Sequence, residues 1–129
     1  MLRILIVEDS PVNMVLTVAI LERAGHEAVQ AKTAAEGLAL ARTHLPDLIL
    51  MDIQLPDMDG LEATRLLRED SRTRDIPIIA LTAFAMKGDA EIMRDAGCDA
   101  YITKPIRYQE FLQEVESVVH GMRGSHPAE

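Results

Sequence analysis

The chain has 129 residues, 48% hydrophobic and 26% charged, which suits one globular domain with a single core and weighs against a disordered or membrane-embedded chain. Its 13 basic and 21 acidic residues leave a net charge of -8, which weighs against a nucleic-acid backbone as main partner and favours a cation or another protein. One cysteine, Cys98, cannot close an internal disulfide, no Cys or His spacing resembles a zinc site, and no apolar stretch is long enough for a signal peptide or a bilayer span, so a cytoplasmic setting without membrane insertion is expected.

Short apolar runs alternate with amphipathic stretches. A first strand is expected over Ile4 to Val7, ending in the acids Glu8 and Asp9. Ser10 followed by Pro11 opens a helix to Ala24, with Gly25 as its stop. That helix is apolar nearly all round, with Asn13 and Thr17 the polar residues of its first half. Its excess apolar side chains would either pack against the last helix or dock a partner, and extra core packing is the plainer account of any one of them. A second strand follows over Ala28 to Ala31, then a helix from Ala34 to Thr43 that ends before Pro46.

Leu48 to Met51 reads as a fully buried parallel strand closed by Asp52, before a turn running from Pro56 to Gly60. The next helix spans Leu61 to Glu69, the fourth strand Ile76 to Leu81 with Thr82 at its end, and the fourth helix Gly88 to Ala96 with Gly97 as its stop. Ala100 to Ile102 makes a fifth strand, followed by Lys104 and Pro105. The last helix, Tyr108 to Met122, sets Phe111, Leu112, Val115, Val118, Val119 and Met122 on one stripe. Strict alternation implies a doubly wound five-stranded parallel sheet with five helices on its two faces, of the flavodoxin-like order 2-1-3-4-5. The domain is expected over 1–122 and a short flexible tail over 123–129. His26, His44, His120 and His126 are scattered with no suitably spaced acid or thiol, and Cys98 reads as a small buried apolar residue.

In that strand order the first and third strands are neighbours, so Glu8, Asp9 and Asp52 share one crevice. Three carboxylates so close raise one another's pKa or demand a cation, and Mg²⁺ suits oxygen ligands of this kind. Taken without Asp52, Glu8 and Asp9 would be read as caps of the first helix. Thr82 and Lys104, ending the fourth and fifth strands, add a hydroxyl and a positive charge. A carboxylate nucleophile, a cation site, a hydroxyl donor and a fixed ammonium are what phosphoryl transfer requires, since that chemistry is mostly positioning and neutralisation of oxygens.

The segments Leu5-Ile6-Val7-Glu8-Asp9, Met51-Asp52-Ile53-Gln54-Leu55-Pro56-Asp57-Met58-Asp59-Gly60, Leu81-Thr82-Ala83 and Tyr101-Ile102-Thr103-Lys104-Pro105 resemble the receiver domain of bacterial two-component response regulators, over about residues 2 to 120. Ala83 to Asp89, Ala96-Gly97-Cys98 and Lys104-Pro105-Ile106 resemble stand-alone receivers of the DivK type. The resemblance implies Asp52 as acceptor of a phosphoryl group from a histidine kinase or histidine phosphotransfer protein. It implies Mg²⁺ held by Asp9 and Asp52, by Glu8 through water and by the Gln54 carbonyl, and Lys104 paired with a phosphoryl oxygen before a cis bond to Pro105. Thr82 and Tyr101 would form the switch, and Val12, Asn13, Leu16, Pro105 and Ile106 would meet the kinase. Gln54 and Phe84 flank the site, and neither is a water-activating base, so a phosphate lifetime that is not especially short is expected.

The output would be phosphorylation-dependent binding of a downstream protein, with the chain promoting only its own phosphorylation and dephosphorylation. A phosphorelay shuttle and a receiver fragment of a hybrid kinase are the alternatives within this class. An aspartyl-phosphate phosphatase of haloacid-dehalogenase type is a poor fit, because Pro11 stands where that family needs a second Asp after Asp9. A flavodoxin-like cofactor binder fits no better, since Glu8 and Asp9 would repel a phosphate unless a cation intervened.

Overall fold

The computed structural model describes residues 1–83, 88–104 and 106–123. Among them, strands and helices alternate as β1 Arg3–Val7, α1 Pro11–Arg23, β2 Glu27–Ala31, α2 Ala34–His44, β3 Leu48–Asp52, α3 Gly60–Glu69, β4 Ile78–Thr82, α4 Asp89–Ala96, β5 Ala100–Thr103 and α5 Tyr108–Arg123. The strands pair in parallel in the order β2-β1-β3-β4-β5, the order the alternation implies. Helix α5 takes in Arg123, the first residue of the expected tail; residues 124–129, Phe84, Met86, Pro105 with the bond that precedes it, and the side chain of Met122 lie outside the described residues.

The two neighbours of β1 explain why its Leu/Ile/Val run carries no polar side chain between Ile4 and Val7. Central strands are covered on both faces, and every residue of β3 and β4 is buried, whereas the edge strands β2 and β5 are partly exposed. Alternate residues point to opposite faces. Leu5, Val7, Ile49, Met51, Ile78 and Ala80 pack with residues of α2, α3 and α4 such as Leu38, Leu67 and Met93. Ile4, Ile6, Leu48, Leu50, Ile79 and Leu81 pack on α1 and α5 through Ile20, Leu21, Phe111 and Val115. Each of the larger side chains contributes about 1.5–3 kcal/mol by leaving water, so the sheet is fixed from both sides.

Local signals set the helix ends. Ser10 accepts the Asn13 N–H at 3.3 Å and Pro11 occupies the first turn of α1, while Gly97 ends α4 at φ +113. Helix α2 stops less predictably, at Leu45, a non-glycine residue in the left-handed region at φ +47. Strand β4 starts two residues later than the apolar run suggests. Ile76 belongs to a turn, donating its N–H to the Thr73 carbonyl and accepting Arg68 Nη1 at 2.6 Å.

Helix α1 corrects the expectation that its surplus apolar residues fill the core. Polar Thr17 is turned inward with Met14, Ile20 and Leu21, fully buried, with its hydroxyl donating to the Asn13 carbonyl at 2.8 Å. Val12 and Val15 are 76% and 69% exposed, and Leu16 is exposed as well. A second correction concerns the histidines. His120 sits 3.0 Å from Glu116, one helical turn earlier, while half-buried His26 accepts the Leu2 N–H on Nδ1. Cys98 is buried as expected, and burial pushes its thiol pKa up.

Candidate functional site

Strand order alone brings the acids together. Chain leaving β1 passes through Glu8 and Asp9, and Glu8 extends the pairing by donating its N–H to the Ala31 carbonyl at 2.9 Å. Asp52 is the last residue of the adjacent strand β3 and lies in register with Leu81 of β4. One carboxylate oxygen from each of Glu8, Asp9 and Asp52 lies within 4.8 Å of the other two. Glu8 and Asp52 are buried, 1% and 3% exposed, while Asp9 faces solvent.

Lys104 enters from the far strand. Its N–H donates to the Thr82 carbonyl at 2.7 Å, which carries the chain beyond β5 across the end of β4. Its ammonium then reaches Asp52 Oδ2 at 3.0 Å and Glu8 Oε1 at 3.1 Å. The contact with Glu8 is an ion pair outside hydrogen-bond geometry, so Glu8 Oε1 is buried without a hydrogen-bond donor. The other Glu8 oxygen accepts the Ser10 N–H at 3.1 Å, and Asp52 Oδ1 accepts the Gln54 N–H at 3.0 Å. Thr82 is buried at the end of β4, and Tyr101 stands 38% exposed on β5.

The electrostatics follow from this packing. Burial first, and the adjacent Asp52 carboxylate second, raise the Glu8 pKa to about 7. Burial alone would lower the Lys104 ammonium, but its contacts with Asp52 and Glu8 more than offset that and raise it. Among the described residues, three carboxylates face the Lys104 ammonium, which leaves the crevice short of positive charge. Oxygen donors, a buried acceptor with no donor and excess negative charge fit a hard divalent cation. The alternative of Glu8 and Asp9 as helix caps finds no support: Ser10 is the cap of α1, and the first turn of that helix holds no acid.

Gly60 fixes the turn behind Asp52. Its N–H donates to the Ile53 carbonyl at 2.7 Å, and a Cβ there would strike the carbonyl oxygen of Asp52. Any side chain at this position would displace the end of β3. Asp59 caps α3 by accepting the Leu61 N–H at 2.8 Å.

Asp57 was given no role from sequence. Its two oxygens accept the N–H groups of Ala34 and Ala35, each at 2.9 Å, and these bonds hold its carboxyl below the usual range. No local signal marks this contact, because its partners lie 22 and 23 residues earlier.

Among the expected partner contacts, exposed Val12 and Leu16 and half-buried Asn13 lie on α1, which begins beside the acids, and Val15 adds to that exposed surface. Ile106 packs partly against the α1–α5 core. Pro105 lies outside the described residues.

Residues 4–116 match the family described as the response regulator receiver domain. The chain is 51% identical to the polar-differentiation response regulator DivK of Brucella ovis over 114 residues, 88% of this chain and 93% of that protein. It is 36% identical to the receiver domain of the sensor histidine kinase PA1611 of Pseudomonas aeruginosa, solved with a magnesium ion coordinated in its active-site cleft. That similarity has a TM-score of 0.85 and covers 92% of this chain and 98% of that one. The chemotaxis protein CheY4 of Vibrio cholerae is 27% identical, with a TM-score of 0.87 over 92% of this chain and 98% of its own.

Proposed function

The chain belongs to the response regulator receiver-domain family, and from that membership and the acid cluster we propose that Asp52 accepts a phosphoryl group from a histidine kinase or a histidine phosphotransfer protein. It is a DivK-like response regulator with a single receiver domain, a signalling protein of a two-component system. Reading it as a shuttle or as part of a hybrid kinase is not favoured, since the 51% identical relative is itself named a response regulator. The observation that carries the proposal is a buried carboxylate at a strand end, with one oxygen on the Gln54 N–H and the other on Lys104.

In this reading an Asp52 oxygen attacks the phosphorus of a phosphohistidine. The O–P bond forms as the P–N bond breaks, and the imidazole leaves with the bonding pair and takes up a proton. Glu8, Asp9, Asp52 and the Gln54 carbonyl would hold Mg²⁺, which when bound supplies positive charge to the phosphoryl oxygens. Lys104 transfers its ammonium from the Asp52 carboxylate to a phosphoryl oxygen. The Thr82 hydroxyl donates to another, and Tyr101 turns inward behind it. An aspartyl phosphate adds charge and acceptor oxygens that these groups satisfy only after the segment following β4 rearranges, so modification biases a two-state element.

The exposed Val12, Val15 and Leu16 surface, next to the acids, is suited to receive the phosphodonor, together with Asn13 and Ile106. A downstream protein would then read the phosphorylated state in the cytoplasm, and no small substrate is turned over. No helix among the described residues is long and apolar enough to cross a membrane.

Intact mass after incubation with Mg²⁺ and acetyl phosphate tests the acceptor. The native chain should gain one phosphoryl group and Asp52→Asn none. Equal gain in both would move the acceptor elsewhere, and no gain in either, beside a control receiver that is modified, would turn the reading to a phosphorylation-independent scaffold.

A further inference from the structure

The loop joining β3 to α3 carries Gln54, is tied at its start to the ends of β3 and β4, and closes at its end on its own first residue, Ile53. At its start the Ile53 N–H donates to the Leu81 carbonyl at 3.1 Å and the Gln54 N–H to Asp52 Oδ1 at 3.0 Å. At its end the Gly60 N–H returns to the Ile53 carbonyl. Leu55 and Met58 rest on the core between these anchors. Asp57 supplies the polar tie, reaching away from the loop to the N-terminus of α2.

That helix end is fully occupied. A helix leaves its first N–H groups without internal partners. Here Ala34 and Ala35 donate to Asp57, Glu36 donates to Thr33 Oγ1 at 3.1 Å, and Gly37 donates to the Thr33 carbonyl at 2.9 Å. Thr33 caps α2 from within its own segment, whereas Asp57 caps it from the loop that bears Gln54. The carboxylate also sits at the favourable pole of the helix dipole.

We propose that Asp57 is a positioning residue for the cation site, fixing the β3–α3 loop against α2 so that Gln54 is held beside Asp52. The inference rests on the cation reading above. Groups behind a metal ligand restrict its orientation and contribute to affinity without touching the ion. Coupling of this kind is reciprocal: what the clamp adds to cation binding, the cation returns as closure of the clamp. The N-terminus of α2 thereby senses occupancy of the crevice.

Calorimetric Mg²⁺ titration of the native chain, Asp57→Ala, Asp57→Asn and Thr33→Ala tests this, with Asp9→Asn as a cluster control. Asp57→Ala should bind about tenfold more weakly, at the lower end of outer-shell effects. Asp57→Asn, which keeps one acceptor oxygen, should fall between and carries the test if the alanine variant does not fold. Thr33→Ala removes a cap of the same helix without touching the loop, so it should lower the melting temperature and leave the affinity unchanged. Exchange of the Ala34 and Ala35 amides should slow on Mg²⁺ addition in the native chain and not in Asp57→Ala. Equal affinity in Asp57→Ala, or an equal loss in Thr33→Ala, overturns the positioning role alone, while no Mg²⁺ binding by the native chain overturns the cation reading and this inference with it.

Discussion

At the amino ends of the strands, Asp47 accepts the Arg3 N–H and Asp99 the Ile78 N–H, each at 2.8 Å, so each aspartate preceding a strand closes a hydrogen bond on the neighbouring one. Asp99 also takes Arg68 Nη2, Asp70 is shared by Arg42 and Arg72, and Glu27 pairs with Arg3. At the carboxyl ends, Glu8, Asp9 and Asp52 face Lys104. The same residue types are each supplied with donors at one end and crowded together at the other. Acid count therefore says little about either stability or ligand binding; what decides is whether each carboxylate has its own donor.

The contrast breaks most completely at Asp52. Asn there should abolish phosphoryl uptake, read by intact mass, while leaving the fold in place because the amide can still accept the Gln54 N–H. Gly60→Ala should follow, destabilising the chain by about 3 kcal/mol in urea unfolding, because the new Cβ meets backbone rather than a side chain that can move. Asp9→Asn should weaken Mg²⁺ binding by at least about tenfold in calorimetry with little change in melting temperature. At the opposite end the effects should exchange. Asp99→Ala, which strands the Ile78 N–H and removes one of the partners of Arg68, should cost about 1–3 kcal/mol of stability and leave phosphoryl uptake by the folded protein intact.

The smallest expected effect is a pH slope. Glu8 titrates near 7 in the folded chain against an ordinary 4.5, so between those values the folded state holds more protons than the unfolded one. The Glu8 contribution to stability of the metal-free protein, followed in urea with a chelator, should therefore be fully present below about pH 4.5 and decline as pH rises through 7, no more steeply than about 1.4 kcal/mol per pH unit for one proton. Glu8→Gln should flatten that decline, and a slope that survives the substitution would assign it to another group. Asp57 and Asp70, both depressed, act in the opposite sense and only at lower pH, where their stabilisation is lost.

Sheet order, element sequence and the acid cluster were legible because parallel strands buried on both faces leave uninterrupted apolar runs, with charges only at their ends. Helix α1 was not. A helix apolar nearly all round has no stripe to orient it, so nothing in its pattern places Thr17 inside and Val12 and Val15 outside. Asp57, Asp99 and Arg68 were missed for another reason. Their partners are distant segments, 31 residues away for Arg68 and Asp99, and a side chain's reach across loops leaves no periodicity. The start of β4 was misplaced because Ile76 is apolar but spends its backbone bonds in a turn.

Lys104 closes the crevice from the last strand, 52 residues after Asp52 and nearly the length of the domain after Glu8. During synthesis the acids emerge early, but the ammonium that partners them follows only when β5 has left the ribosome and docked on β4. Loop closure over such separations is entropically costly and belongs late in folding. A growing chain therefore holds a cluster of uncompensated acids until its final strand arrives, and competence to receive phosphate is acquired in one step with completion of the sheet.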